Sequence, residues 1–160
     1  MSNVVLTVLA HPDDAEFLCG GVLARLRREH DWLVHIASMT PGDCGSAEYS
    51  ADEISRIRRA EGAAAAAVIG GAYHCAEQRD LLVVYSESSL RTVTRLLRLV
   101  RPTIVITHNP DDYHLDHEMT SKIVRAAAFA APVPLFDPGE IPPLEHIPHL
   151  YYCDAIEGKN

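Results

Sequence analysis

What this chain does without narrows its class first. Its four cysteines, Cys19, Cys44, Cys75 and Cys153, are scattered with no Cys-x-x-Cys pair, so neither a disulfide framework nor a cysteine-ligated zinc site is indicated, and they read as reduced thiols. Lysine and arginine form no dense run. Arg25, Arg27 and Arg28 come nearest, on a predicted helix that also carries Glu29, and the formal net charge of −8 argues against nucleic acid as a partner. No apolar run is long enough to span a bilayer, and no basic leader precedes the short stretch from Val4 to Ala10. The expectation is a protein without membrane association, resident in the cytoplasm. No internal repeat is visible. No Gly-x-Gly-x-x-Gly loop follows the first predicted strand, which counts against a nucleotide-binding oxidoreductase.

What is present suits a globular fold: 160 residues, 48% hydrophobic and 22% charged, enough to bury a core without covalent help. Val4 to Ala10 is a continuous apolar, β-branched run, the pattern of a strand covered on both faces. Apolar residues at helical spacing follow from about Cys19 to His30, then a second strand from Trp32 to Met39 and a turn-rich loop, Thr40 to Ser46. The alanine-rich stretch from Ala51 to Ile69 predicts a helix stopped by Gly70-Gly71. A weaker strand lies within Ala72 to Tyr85. Glu87 to Val100 reads as a helix, Thr103 to Thr107 as strand four, His117 to Ala131 as a helix, and Leu150 to Cys153 as a last strand after a proline-rich crossing. This alternation predicts an α/β three-layer sandwich with a mainly parallel, Rossmann-like sheet.

Two polar clusters stand directly behind apolar strands: Ala10-His11-Pro12-Asp13-Asp14-Ala15-Glu16 after the first, and His108 through His117 after the fourth. In a doubly wound sheet those strands are neighbours and ligands bind at their carboxyl ends, so the clusters face one crevice. Two histidines and a carboxylate converging there make a familiar catalytic zinc set with one position open.

The pairing of His-Pro-Asp-Asp after strand one with His-x-Asp-His after strand four, with Arg58-Arg59-Ala60-Glu61 on the alanine-rich helix, resembles the LmbE/PIG-L family. Its members are zinc-dependent N-deacetylases acting on N-acetylglucosaminyl conjugates and related acylated amines. The match runs through Val4 to His30, the arginine helix, and Pro102 to Ala128. The resemblance implies that His11, Asp14 and His117 hold zinc, with ferrous iron as the alternative metal, and that Asp13 is the general base. It places His114 at the oxyanion or leaving group with Asp116 behind it, and Arg58 and Gly42 at the substrate site. The implied reaction removes an acetyl group from a small N-acylated sugar or amine. Relatives usually continue with a further segment that encloses substrate and builds oligomer contacts. Residues 1–160 are therefore expected to form a single deacetylase domain lacking that C-terminal extension, with an incomplete or shared pocket and a homo-oligomer as one outcome. Ala76 to Tyr85 does not match the usual loop, which leaves substrate choice open.

Plainer readings compete. Asp13 and Asp14 are also good helix caps, and Arg58 with Glu61 is an ordinary i,i+3 ion pair. His30, His35, His74, His146 and His149 fit no ligand spacing. A hydrolase of another C–N bond and a non-catalytic metal- or sugar-binding module both remain as alternatives.

Overall fold

Continuous apolar runs decide where the sheet lies. In the computed structural model, which describes residues 3–154, Val4–Leu9 forms β1, and its residues from Val5 onward are all buried. Such a strand can only be central. It pairs in parallel with β2 (Leu33–Ser38) on one side and β4 (Ile104–Thr107) on the other. β3 (Ala72–Cys75) adds to β2 and β5 (His149–Tyr152) to β4, giving the all-parallel order β3-β2-β1-β4-β5.

Helices cover both faces, as parallel strands require. Alternate residues of β1 serve different cores: Val5 and Leu9 pack with Leu23, Val34, Ile36 and Ala66, whereas Leu6 and Val8 pack with Val93, Leu97, Val105, Ile123 and Val124. The first core is closed by α2 (Gly20–His30) and α3 (Ala51–Val68), the second by α4 (Glu87–Val100) and α5 (Leu115–Ala130). The three-layer α/β sandwich read from the sequence is the observed fold. Among the described residues, no helix is long and apolar enough to cross a membrane.

Local chemistry sets the ends of these helices. The Ser50 side chain caps α3 by accepting from the Glu53 N–H, and Ser86 with Ser89 closes a capping box on α4. Gly70, at φ +64°, turns the chain out of α3, and a Cβ on Gly71 would meet the Val34 carbonyl at 2.9 Å. The glycine pair thus stops the helix and lets β3 come close to β2.

Three elements depart from the predicted bounds by more than one residue. The first helical stretch begins at Asp14, as the short α1 (Asp14–Leu18), and is broken at Cys19 before α2; α1 is too short to show helical periodicity. The third strand stops at Cys75, because Glu77 and Leu81 adopt positive φ (56° and 63°) and turn residues 76–85 into an irregular loop. α5 starts at Leu115 rather than His117, because His114 caps it through its side chain. Asp116 and His117 therefore lie in the first helical turn.

Candidate metal centre and active site

The carboxyl ends of β1 and β4 lie side by side, and each is followed at once by its polar cluster. His11, Asp14 and His117 are drawn together there, with one donor atom from each within 4.8 Å of the others. His11 Nδ1 is 3.4 Å from Asp14 Oδ2, and His117 Nε2 is 3.7 Å from Asp14 Oδ1. Donors on one tetrahedral zinc ion at about 2.1 Å stand roughly 3.4 Å apart, so the spacing suits such an ion.

Electrostatics point the same way. Burial by itself would raise the Asp14 carboxyl, yet hydrogen bonding and charge from His108 and His11 hold it well below the usual carboxylate range. His11 is lowered by burial but raised further by Asp14, with Asp80 and Asp116 adding to the effect, and ends above its ordinary value. His117 is pushed down to about 4 by burial, then by the neighbouring His108, against the pull of Asp14 and Asp112. It is therefore neutral near neutral pH, the form that binds a metal. A pocket that draws several carboxylates around its imidazoles suits a divalent cation.

The capping alternative for the two aspartates finds little in the geometry. Asp13 occupies the N-cap position of α1 but makes no side-chain capping bond. Its Oδ2 instead accepts from Arg58 Nη2 at 2.7 Å, while Arg58 Nη1 reaches Glu61 at 2.9 Å. The i,i+3 pair thus exists, with Asp13 added to it across 45 residues of sequence. Asp14 Oδ2 accepts from the His11 N–H at 2.7 Å. Gly42, at φ +76°, packs on Arg58, since a Cβ there would stand 3.2 Å from Arg58 Cγ. Its closeness to the site runs through that arginine.

His114 and Asp116 are arranged otherwise than the resemblance implies. The Asp116 carboxylate does not back His114; it accepts from the N–H groups of Leu81 (2.7 Å) and Val83 (3.3 Å) and lies 3.5 Å from His11 Nε2. As a first-turn residue of α5, Asp116 faces the 76–85 loop across the site. His114 Nδ1 accepts from the Asp116 backbone N–H at 3.2 Å, which assigns the ring proton to Nε2. Its ring lies 4.9 Å from that of His11 and 4.7 Å from that of His117.

Two further residues belong to this centre and were not singled out from the sequence. Asp112, buried, accepts from the His114 N–H at 3.0 Å with Oδ1, and its Oδ2 lies 3.3 Å from His117 Nδ1. His108 stacks on His117 and touches Asp14. Both stand in the quoted run from His108 to His117, but only the packing distinguishes them from their neighbours. The one sequence signal was position: His108 follows β4 nearly as His11 follows β1.

Residues 6–128 match the model of the family described as PIG-L, GlcNAc-PI de-N-acetylase. The chain belongs to the PIG-L family. Among curated proteins it is 26% identical to a 4-oxalmesaconate hydratase of Pseudomonas putida, over 84% of this chain and 55% of that protein. It is 27% identical to a 1D-myo-inositol 2-acetamido-2-deoxy-alpha-D-glucopyranoside deacetylase of Rhodococcus opacus, over 86% of this chain and 57% of the relative. Among solved structures, the N,N'-diacetylchitobiose deacetylase of Pyrococcus horikoshii superposes with a TM-score of 0.78 at 27% identity, over 84% of this chain and 52% of that one. The chain thus spans a little over half the length of the curated relatives it matches.

Proposed function

We propose that this PIG-L domain is a metal-dependent amide hydrolase that removes the acetyl group from a small N-acetylated amino sugar conjugate. The observation that carries the reading is the joining of His11, Asp14 and His117 at the β1/β4 junction, with Asp13 beside them and held by Arg58. The names of the family and of the Rhodococcus relative support the substrate class. Zinc suits the His₂-carboxylate donors, and ferrous iron is the alternative occupant. Bound at His11, Asp14 and His117, the metal would supply Lewis acidity toward the acyl carbonyl and acidify water.

The chain's own residues supply the rest. The Asp13 carboxylate takes a proton from the attacking water as the C–O bond forms, and Arg58 fixes the direction in which that carboxylate points. His114, with Nδ1 engaged by the Asp116 amide, presents its Nε2–H to the oxygen that gains charge. The C–N bond then breaks, the proton passes to the departing nitrogen, and acetate and a free amine leave. Asp116 serves this scheme by fixing the 76–85 loop against His11, not by orienting His114.

A second reading has one observation behind it, the Pseudomonas hydratase relative: the same base could deliver water to a carbon–carbon double bond. Stripping the protein with a chelator, reloading it with zinc or ferrous iron, and assaying acetate release from N-acetylglucosaminyl conjugates beside hydration of an unsaturated tricarboxylate such as 4-oxalmesaconate separates the two. Acetate release restored by metal supports the proposal; hydration without acetate release overturns it. Residence in the cytoplasm and assembly into a homo-oligomer belong to the same reading, and sizing of the purified protein tests the latter.

A further inference from the structure

His108 is the first residue after β4, and neither the proposed ligand set nor the proposed proton path uses it. Its side chain is 1% exposed. The ring lies flat on His117, with 3.8 Å between centroids and 7° between planes. At its edge, Nε2 is 2.9 Å from the Ala10 N–H nitrogen and 3.1 Å from Asp14 Oδ2. One buried ring therefore touches the residue before His11, the carboxylate of the donor set and one of its two imidazoles.

The surroundings explain why such a contact is needed. Asp14 opens a helix of only five residues whose N-cap side chain makes no capping bond. An isolated helix that short has little stability of its own with which to fix a side chain. His117 comes from a different helix, α5, so the distance between these two donors depends on what packs against both beyond the carboxyl ends of β1 and β4.

We propose that His108 is a positioning residue, a brace across the β1/β4 junction that holds Asp14 and His117 at the spacing a metal ion needs. The inference rests on the metal-dependent reading given above. The ring acts in two separable ways. Its edge either accepts from the Ala10 N–H as a neutral imidazole or, carrying a proton on Nε2, donates to Asp14. Its face limits rotation of the His117 ring.

Two substitutions separate these actions. His108→Gln keeps a polar group at the edge and removes the stacking face; His108→Phe keeps the face and leaves the Ala10 N–H and Asp14 without that partner. The test is zinc affinity of the full chain, measured by competition with a chromophoric chelator well below the thermal midpoint, beside the midpoint of the metal-free protein. Both variants are expected to bind zinc about 10–100-fold more weakly than wild type, as for other partners of metal ligands. Arg98→Met, remote from the site, serves as the control that lowers the midpoint without changing zinc affinity. If His108→Phe does not fold, His108→Gln decides. Unchanged zinc affinity in the folded variants overturns the brace alone. A wild type that binds neither zinc nor ferrous iron overturns the metal-dependent reading and the brace with it. Weakened zinc binding in an enzyme that releases no acetate upholds the brace and counts against the deacetylase reading.

Discussion

Two regions of the molecule bury charge, and they satisfy it differently. Where α4 meets the proline-rich segment, the Arg98 guanidinium, 2% exposed, donates to the carbonyls of Ala131 (3.0 Å), Val133 (2.7 Å) and Asp137 (2.6 Å). The Asp137 carboxylate beside it takes hydrogen bonds from Arg91 and Arg95. At the β1/β4 junction, by contrast, Asp112 Oδ2 and His117 Nδ1 are buried 3.3 Å apart with no aligned hydrogen bond to either. Orphaned polar atoms cost stability, so a fold retains them where something else repays the cost. The first cluster is complete in itself and ties a helix to an irregular segment. The second is paired less completely, an arrangement that the proposed metal site would explain.

The sharpest way to break this contrast is at the two adjacent aspartates. Asp13→Asn removes the proton acceptor, so turnover should fall by roughly 10²–10⁴ while bound metal is retained and added zinc gives no rescue. Asp14→Asn removes the anion between two imidazoles, so metal content should fall and excess zinc should restore part of the activity. Metal analysis and acetate release on the two proteins side by side check both. The reverse pattern would exchange the two assignments, and full activity in both would remove the site. Next in size is His114→Gln, expected to slow turnover by about 10²–10³ with zinc content unchanged, the loss of one oxyanion or acid-base group. Unaltered turnover would reduce His114 to the cap of α5.

How far the sequence foretells this contrast depends on the kind of order involved. β1, β2 and β4 are readable because strands covered on both faces must be apolar throughout, and the donor residues are readable because they follow those strands directly. β3 and the 76–85 loop are not, since their path depends on backbone turns at Glu77 and Leu81, residues that rarely adopt positive φ. The direction of the Asp116 side chain follows from that loop and was lost with it. His108 and Asp112 lay within a quoted motif, but stacking at 3.8 Å and a buried carboxylate 3.3 Å from a ring nitrogen are tertiary facts with no periodicity to announce them. Arg98 stood on a predicted helix without any local hint that three carbonyls from residues 131–137 would meet it.

The completed cluster can be broken as well, with the opposite signature. Arg98→Met keeps much of the buried volume but leaves three carbonyls short of their donor, so the protein should lose about 3 kcal/mol of stability. Denaturant unfolding measures this loss. Zinc affinity and turnover should stay at wild-type values well below the midpoint. A loss of metal binding in this variant would mean that the two regions are coupled, and the contrast between them would fail.

The smallest effect expected is a pH dependence confined to that same cluster. The hydrogen bond from Arg95 holds the Asp137 carboxyl below its ordinary range against the effect of burial, with Arg91 adding to it. A carboxyl whose pKa is depressed in the folded state contributes stability that is complete above its unfolded value, near pH 4, and is lost as pH falls through the folded value. Asn is close in shape to the protonated acid, so Asp137→Asn imitates the low-pH state at every pH. The variant should therefore melt slightly below wild type at neutral pH, and the gap should close as the pH drops below about 4. The gap stays small because both arginine side chains reach solvent, which screens the pairing. Acid also protonates Asp14, but both proteins share that loss and it cancels in the difference. Thermal midpoints of the two proteins across the acid range provide the check. A gap that persists unchanged at low pH would mean that Asp137 acts through shape and neutral hydrogen bonding, not through its charge.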